Sequence, residues 1–487
     1  MKTAATILVI FLLSVGSGFA QMDTLFTRTF GGAGSEGGRS IEQTVDGGYI
    51  IAGYTYSFGA GNADIYLIKT DSDGNEQWSN CFGGSGWEYG NSVCQTADNG
   101  YIIAGYTTSY GAGSKDVYLV KADSLGNQEW AGTFGGSGLD VGKAVIETGA
   151  GGYVVCGYTE SFSIGEDDIY LIKTDSGGNE IWSETFGGYA SDVGLYIRET
   201  DDDGYIIAGA TGSFGSGNRD IYLVTVDSSG NQIDVRTFGV GSSNYEWGNS
   251  ISETSDGGHI IVGDADIHSS DLLDFYIVKT DSEENLEWQL KLGASNFYDY
   301  GVSILEASDG GFLACGTSKS NVTLKNDVYL IKIHRDGYQL WSQAIGGPDS
   351  DWGFSLCETS DGDYVVIGQT GSYGAGAFDV WLIKLAGEVN SVRDKGAIIP
   401  EAYLSSSNFP NPFNARTIIS YNLVDRSDVR IDIFDLIGRK VKTFFDMASS
   451  AGKHTVVWDA ADASSGIYFY RVQAGGRHET KKMTLLK

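Results

Sequence analysis

The sequence predicts an all-β chain: a seven-bladed β-propeller closed by an N-terminal strand, followed by a small β-sandwich. Three observations carry that prediction. One phrase returns seven times, its second-strand aromatic position falling at Tyr49, Tyr101, Tyr153, Tyr205, His259, Phe312 and Tyr364, with spacings of 52 to 54 residues. A period of that size marks a repeat architecture. Every copy holds four apolar segments of strand length, except that the seventh lacks its fourth and an orphan fourth segment precedes the first copy. The composition, 70 glycines and four prolines, suits many tight turns between short strands.

Along the chain, Met1 to Ala20 has one early lysine, an apolar run from Ile7 to Leu13 and a small-residue ending Gly18-Phe19-Ala20. This reads as a cleaved secretory signal with Gln21 as the mature start. Gln21 is not a cysteine, which disfavours a lipid anchor, and no later apolar stretch approaches the roughly 20 residues that span a bilayer. In the first copy the strands are Ser40 to Thr44, Gly48 to Thr55, Asp64 to Thr70 and a stretch from Gln77-Trp78. Asp46-Gly47-Gly48 and Asp73-Gly74-Asn75 supply hairpin turns that accept positive φ. The longer connections, Ser57 to Ala63 and Gly83 to Gly90, then emerge at the opposite edge.

Tyr66, Tyr118, Tyr170, Tyr222, Tyr276, Tyr329 and Trp381 recur in strand three, and Trp78, Trp130, Trp182, Trp288 and Trp341 in strand four. Such registry is what packing between stacked sheets requires, because each sheet is too small to bury both faces alone. The fourth copy departs, with Asp234 at the tryptophan position, and in the seventh Arg393 stands there. The segment Phe26-Thr27-Arg28-Thr29-Phe30-Gly31-Gly32 aligns with Trp78-Ser79-Asn80-Cys81-Phe82-Gly83-Gly84 and is predicted to complete the last blade. The predicted domains are a signal peptide (1–20), propeller (21–386), linker (387–402) and tail (403–487). In the tail, six strands are read at Thr417 to Leu423, Val429 to Leu436, Lys440 to Phe445, His454 to Asp459, Gly466 to Ala474 and Lys481 to Leu486.

The formal charge of −31 is uneven: from Tyr403 onward there are 12 Lys and Arg against 8 Asp and Glu, leaving 20 against 55 in the rest. A body carrying −35 repels nucleic acid and anionic lipid, and attracts cations or basic partners. Five cysteines stand at positions that blades apart in a ring cannot bring together, with no C-x-x-C spacing. They are predicted to be buried free thiols.

Thr133-Phe134-Gly135-Gly136-Ser137-Gly138 and Gly152-Tyr153-Val154-Val155-Cys156-Gly157-Tyr158-Thr159 resemble the seven-bladed propeller (SBBP-type) repeat of secreted bacterial proteins. Thr174-Asp175-Ser176-Gly177-Gly178-Asn179-Glu180-Ile181-Trp182 is similar to the tryptophan-docking segment of quinoprotein-like propellers. The resemblance implies a fold and is nearly silent on activity. In the tail, Phe409-Pro410-Asn411-Pro412-Phe413-Asn414, Ile433 to Val441, Ser465 to Arg471 and Lys481 to Lys487 resemble the C-terminal sorting domain of type IX secretion cargo. That domain is itself similar to the immunoglobulin-like domain of flagellar hook-capping proteins. The resemblance implies a Gram-negative host, recognition by the type IX machinery, and a secreted or outer-membrane-surface location.

Two acidic positions recur in all copies: Glu36, Glu88, Asp140, Asp192, Glu246, Asp299 and Asp351 in the inter-blade loop, and Asp64, Asp116, Asp168, Asp220, Asp274, Asp327 and Asp379 opening strand three. Seven equal carboxylates read as loop anchors accepting backbone N–H bonds, since catalysis needs an asymmetric constellation. The functional alternative is Ca2+ held by oxygens of such residues as Glu88, Asp116, Asp140 and Asp168. No cofactor is required. The better pointers are departures from the repeat: Trp87, Tyr89, Tyr245, Trp247, Phe297, Tyr298, Tyr300 and Trp352 in the inter-blade loops, aromatics suited to binding a sugar or a protein. By contrast Phe58, Tyr110, Phe162, Phe214 and Tyr373 recur in register and read as structural. The five histidines are scattered and no nucleophile motif or phosphate loop stands out, while Asp71-Ser72-Asp73-Gly74-Asn75 reads as a hairpin rather than a calcium loop. The sequence therefore favours a non-catalytic secreted protein that binds glycan or protein through its long-loop face. The rival is a propeller hydrolase or lyase acting on polysaccharide.

Overall fold

The structure, a computed structural model, describes residues 22–239, 245–266, 273–293, 298–319, 324–387, 405–409, 415–423, 427–436, 438–449, 452–461, 463–474 and 477–485. The expected signal peptide, linker, Phe297, Arg393 and most of the Phe409–Asn414 motif lie outside these residues. Among the described residues the chain is all β, with no helix. It divides into two compact units, Met1–Glu388 and Val389–Lys487.

The first unit is built from seven four-stranded antiparallel sheets. In the first sheet the strands are Glu36–Gln43, Tyr49–Thr55, Asp64–Thr70 and Glu76–Phe82, and the same order recurs over 88–134, 140–186, 192–238, 246–292 and 299–345. The seventh takes Asp351–Glu358, Tyr364–Thr370 and Asp379–Leu385 from the last copy and Thr24–Phe30 from the N-terminus, the latter paired antiparallel along Asp379–Leu385. The first strand of each sheet starts earlier than expected. Glu36 is its first residue rather than part of the preceding loop, because the bulge described below lets the strand continue through Gly37-Gly38.

Each sheet packs on the next through its first two strands, and Glu36–Gln43 also contacts the seventh sheet. Small backbone bridges recur at these boundaries: Ala63 with Trp87, Lys115 with Leu139, Arg219 with Tyr245 and, between the seventh and first sheets, Ser35 with Phe378. At the other end of strand one, Gln95 Oε1 accepts the Val45 N–H at 2.8 Å, Glu147 Oε2 that of Ala97 at 2.7 Å, and Gln43 Oε1 that of Ser360 at 2.7 Å. Glycine makes the close approach tolerable. A methyl group on Gly301 would meet the Gly263 carbonyl oxygen of the preceding sheet at 2.7 Å.

The recurring aromatics are core, as their registry predicts. Tyr66, Tyr118, Tyr170, Tyr222, Tyr276 and Trp381 are buried, and Trp78, Trp130 and Trp182 lie against Tyr101, Tyr153 and Tyr205 of the following sheet at 5.8, 5.8 and 6.4 Å between centroids. Each of these tryptophans also covers a turn glycine of that next sheet: Gly126, Gly178 and Gly230. Phe26 covers Gly74 in the same way, so the N-terminal strand fills a fourth-strand role in its side chains as well as in its pairing. Where Asp234 replaces the tryptophan, the turn glycine is replaced by Glu284 at φ +61, and its Oε1 accepts a bond from Thr225 Oγ1 at 3.0 Å. The larger turn residue occupies space the ring has vacated.

At the short-turn edge a buried lysine of strand three reaches the Asp of the strand one–two hairpin: Lys69 to Asp46, Lys121 to Asp98, Lys279 to Asp256, Lys332 to Asp309 and Lys384 to Asp361, at 2.8 to 3.1 Å. The third copy has Ala150 in place of the Asp, and Lys173 Nζ donates to Tyr205 Oη of the next sheet instead, at 2.9 Å. The cysteines are free, as expected; Cys156 and Cys315 are buried, but Cys81, Cys94 and Cys357 are only half-buried. Asp71 Oδ1 accepts the Asp73 and Asn75 N–H groups, an Asx turn in a hairpin.

The second unit has seven strands rather than six, because Ser405–Phe409 adds one. They form two antiparallel sheets, one of Ser405–Phe409, Arg416–Leu423 and Gly452–Asp459, the other of Lys440–Ser449, Ser427–Asp435, Gly466–Ala474 and Arg477–Leu485. A single core that includes Ile419, Tyr421, Ile431, Ile433, Trp458, Tyr470 and Met483 draws on both.

Candidate functional site

The two recurring carboxylates converge at the long-loop edge, one from each of two adjacent sheets. A methyl group on Gly83 would meet Asp64 Oδ1 at 2.2 Å and Glu88 Oε2 at 2.5 Å. Asp116 with Asp140 enclose Gly135 in the same manner, and Asp168 with Asp192 enclose Gly187. All are buried, and most of their oxygens are engaged by loop backbone. Glu88 accepts from Gly84 N at 2.8 Å, Ser109 N at 3.2 Å and Thr107 Oγ1 at 2.7 Å. Asp140 accepts from Gly136 N at 2.9 Å and Ser161 Oγ at 2.6 Å, Asp116 from Gly113 N at 3.1 Å, and Asp168 from Ile164 N at 2.7 Å. These bonds fix the loops on both sides of each sheet boundary.

The pairing of like charges has an electrostatic cost. Burial, and then the neighbouring carboxylate, raises Asp64 and Asp168 above the ordinary range and pushes Asp327, beside Asp351, up to about 6. The Oδ1 atoms of Asp64, Asp168 and Asp327 are buried without a hydrogen-bond partner. Among the described residues no group of three or more His, Cys, Asp or Glu side chains is arranged to hold a metal ion.

The sequence-selected aromatics separate into two sets. Trp87, Tyr245 and Tyr298 lie just before strand one and are about half exposed, whereas Tyr89, Trp247, Tyr300 and Trp352 lie on the strand itself, second after its start, and not in the loop. The strand members stack. Tyr298 and Tyr300 lie 6.1 Å apart with parallel rings, and Tyr300 is 6.2 Å from Trp352. Tyr89 lies 4.5 Å from Tyr54 and 5.2 Å from Tyr106, and its hydroxyl is 2.6 Å from that of Tyr56. Trp352 faces Gln369 across its hairpin, and Gln369 Oε1 accepts the Tyr54 hydroxyl at 2.9 Å. An arc of aromatic side chains thus runs from the sixth sheet through the seventh and first to the second. Trp247 stands apart from it under Arg219, 4.0 Å away. Phe58, Tyr110, Phe162, Phe214 and Tyr373 each lie 5.5 to 5.8 Å from the strand-three aromatic of their own sheet, as structural residues should.

A bulge was not legible from the pattern. In all seven sheets the pairing of strand one skips its fourth residue: Arg39, Asn91, Lys143, Leu195, Asn249, Val302 and Phe354. A bulged residue leaves the ladder and its side chain is re-aimed. The seven span six residue types, only Asn91 and Asn249 coinciding, unlike the acids, glycines and aromatics around them. Arg39 lies 4.1 Å from the Phe354 ring and 5.5 Å from Tyr54. Asn249 Nδ2 donates to the Gly301 carbonyl at 2.8 Å and to Asp264 Oδ2 at 3.0 Å. Asp264, where three other copies have tyrosine, also accepts the Gly301 N–H at 2.7 Å, and burial pushes it up to about 7. The only signal in the sequence was the odd residue out at each position.

On the short-turn edge an open groove of about 580 Å3 is lined by residues including Asp46, Lys69, Gln77, Trp78 and Tyr101. It contains none of the sequence-selected aromatics.

Residues 407–485 match the family model of the secretion system C-terminal sorting domain. The tail marks the chain as type IX secretion cargo and so as a secreted or cell-surface protein. No curated protein matches the chain. Among solved structures, a fungal alcohol oxidase of the AA5 family in complex with copper is 9% identical, with 96% of this chain and 100% of that chain covered and a TM-score of 0.47. Sqt1 from Chaetomium thermophilum is 11% identical over 75% of this chain and 100% of that chain, at a TM-score of 0.43. Likeness at those scores carries no argument about this protein. No helix among the described residues is long and apolar enough to cross a membrane.

Proposed function

We propose that residues 21–386 form a closed seven-bladed β-propeller of the SBBP type that binds glycan or protein through its long-loop face, without catalysis. Residues 387–402 are the linker, and residues 403–487 an immunoglobulin-like sorting domain that follows it. Closure is supported by the pairing of Thr24–Phe30 with Asp379–Leu385 and by the Ser35–Phe378 bridge, which repeats at the last boundary a contact found at earlier ones. Ring closure leaves each four-stranded sheet only short, protected edges. The binding reading is carried by one observation: the aromatic arc of Tyr298, Tyr300, Trp352, Tyr54, Tyr89 and Tyr106 gathers on one face rings that the repeat does not need for packing.

The purified protein, applied to a glycan array and incubated with a panel of polysaccharides, is expected to bind without turnover. Turnover would move the reading to a hydrolase or lyase, for which the buried Asp264 is the acid to substitute first. The unpartnered Oδ1 atoms favour a second role for the acidic pairs, with Ca2+ held between Glu88, Asp116, Asp140, Asp168 and their facing partners. A melting temperature that rises with added Ca2+ and falls with chelator would carry it. One that moves with neither leaves these acids as loop anchors.

A further inference from the structure

Three side chains stand apart from the charge pattern. Outside residues 403–487 there are 20 basic against 55 acidic residues, so a cation has carboxylates in ample supply, and the strand-three lysines use them. Arg39, Lys115 and Lys143 do not. Among the described residues none has a carboxylate partner; each lies against an aromatic ring, Arg39 against Phe354 and Tyr54, Lys115 at 4.2 Å from Tyr106, and Lys143 at 5.7 Å from Tyr158. Arg39 and Lys143 occupy bulge positions of the first and third sheets, and Lys115 precedes strand three of the second. Tyr54, Tyr106 and Tyr158 hold one equivalent position in those three sheets, the second-strand residue just before Thr55, Thr107 and Thr159 at the long-loop edge.

Arg39 and Lys115 are joined by a run of rings: Arg39 lies over Tyr54, Tyr54 is 4.5 Å from Tyr89, Tyr89 is 5.2 Å from Tyr106, and Lys115 lies over Tyr106. Burial, and then the charges of Arg39 and Lys115, hold the Lys143 ammonium down at about 8. Cation–π contact recovers only about 0.5–1 kcal/mol at such sites. An anion placed among them relieves the repulsion and gains charge-assisted hydrogen bonds. The surrounding acidic body repels a long polyanion such as nucleic acid, and therefore selects a ligand whose charges are few and spaced. Tyr54 is buried beneath Tyr89, but Tyr106 and Tyr158 are partly exposed beside the cations, and such ring surface suits the apolar faces of pyranose rings.

We propose that Arg39, Lys115 and Lys143, with Tyr106 and Tyr158, bind an acidic oligosaccharide, its carboxylate or sulfate groups on the cations and its rings against the exposed parts of the two tyrosines. The inference rests on the long-loop face being a binding face, and it names the ligand class.

Calorimetric titration of the purified protein with oligogalacturonate, a sulfated galactan oligomer, the carboxyl-reduced neutral form of the first, and oligoglutamate tests it. At least one acidic sugar should bind about ten- to hundredfold more tightly than the neutral form, weaken as salt is raised, and lose its preference in R39Q/K143Q. K115Q gives the same readout if the double variant does not fold. The uronate and sulfate arms separate the two sources of charge. Equal binding of the neutral form, or no binding of either acidic sugar, overturns the inference. Oligoglutamate bound as tightly as the sugars overturns it in favour of an acidic peptide. Failure of the broader reading looks different: no glycan or protein, neutral or charged, would bind the face at all.

Discussion

At the short-turn edge Asp46, Asp98, Asp256, Asp309 and Asp361 each face a buried lysine, whereas at the long-loop edge Asp64, Asp168 and Asp327 face another carboxylate. One residue type, repeated in one set of sheets, is placed in opposite electrostatic settings. Burial alone would raise Asp46, but bonds from Thr44 Oγ1, Lys69 and the Gly48 N–H hold it at about 2, and Asp98 and Asp256 are held there likewise. The short-turn edge keeps the pair in five sheets; in the third, which lacks the Asp, Lys173 finds Tyr205 instead, and the fourth has Thr225 at the lysine position. The long-loop edge keeps its anchors but varies most of its bulge residues, Asn91 and Asn249 alone being alike. One edge holds the sheets together and the other is free to differ.

The strongest way to break this comparison is to remove a partner at the short-turn edge. Asp309→Ala leaves the Lys332 ammonium buried without its carboxylate and should cost about 3–5 kcal/mol in chemical denaturation. Lys143→Gln at the long-loop edge should stay within about 0.5 kcal/mol of wild type. Equal losses would erase the distinction.

The two edges should also respond oppositely to pH. Carboxylates held near 2 contribute stability that is complete above about 4 and lost as pH falls toward 2. Asp327 at about 6 and Asp264 at about 7 contribute most below their ordinary value of 3.8, and that contribution is lost as pH rises through 6 and 7. The melting temperature should therefore be higher at pH 5 than at pH 8, with each raised acid adding at most about 1.4 kcal/mol per pH unit to the slope. Asp264→Asn should flatten it; an unchanged slope would remove Asp264 from the account.

Smaller effects sharpen the comparison. Restoring the repeat with Asp234→Trp and Glu284→Gly together should be more favourable than the two single changes summed, by about 1 kcal/mol in a double-mutant cycle. Ala150→Asp, which returns the missing partner to Lys173, should add about 0.5–1 kcal/mol.

Periodicity made much of the first unit legible, because spacing fixes strand count and aromatic registry fixes which faces are buried. Asp64–Thr70 was read to the residue. The start of strand one was not, since Glu36-Gly37-Gly38 looks like a loop to any reading based on apolar alternation and is held in the ladder by a bulge. The same bulge leaves no mark in the sequence at Arg39, Lys143 and Phe354, while Trp87 and Tyr89, two residues apart in the repeat, look alike in sequence although one precedes the strand and the other lies on it. Buried lysines such as Lys332 carry no local signal, because their partners stand in the hairpin turn 23 residues earlier. The added tail strand Ser405–Phe409 is polar and carries no alternation to find.

Pairing of Phe30 with Val380 joins the first described strand to one made some 350 residues later. That partnership is the most non-local in the unit and has the largest loop-closure entropy to overcome. During synthesis Thr24–Phe30 must wait, unpaired, until the whole repeat array has emerged. The step that joins the ends is therefore slow and late, and a chain cut short anywhere before Leu385 keeps two adhesive β-margins open to its neighbours.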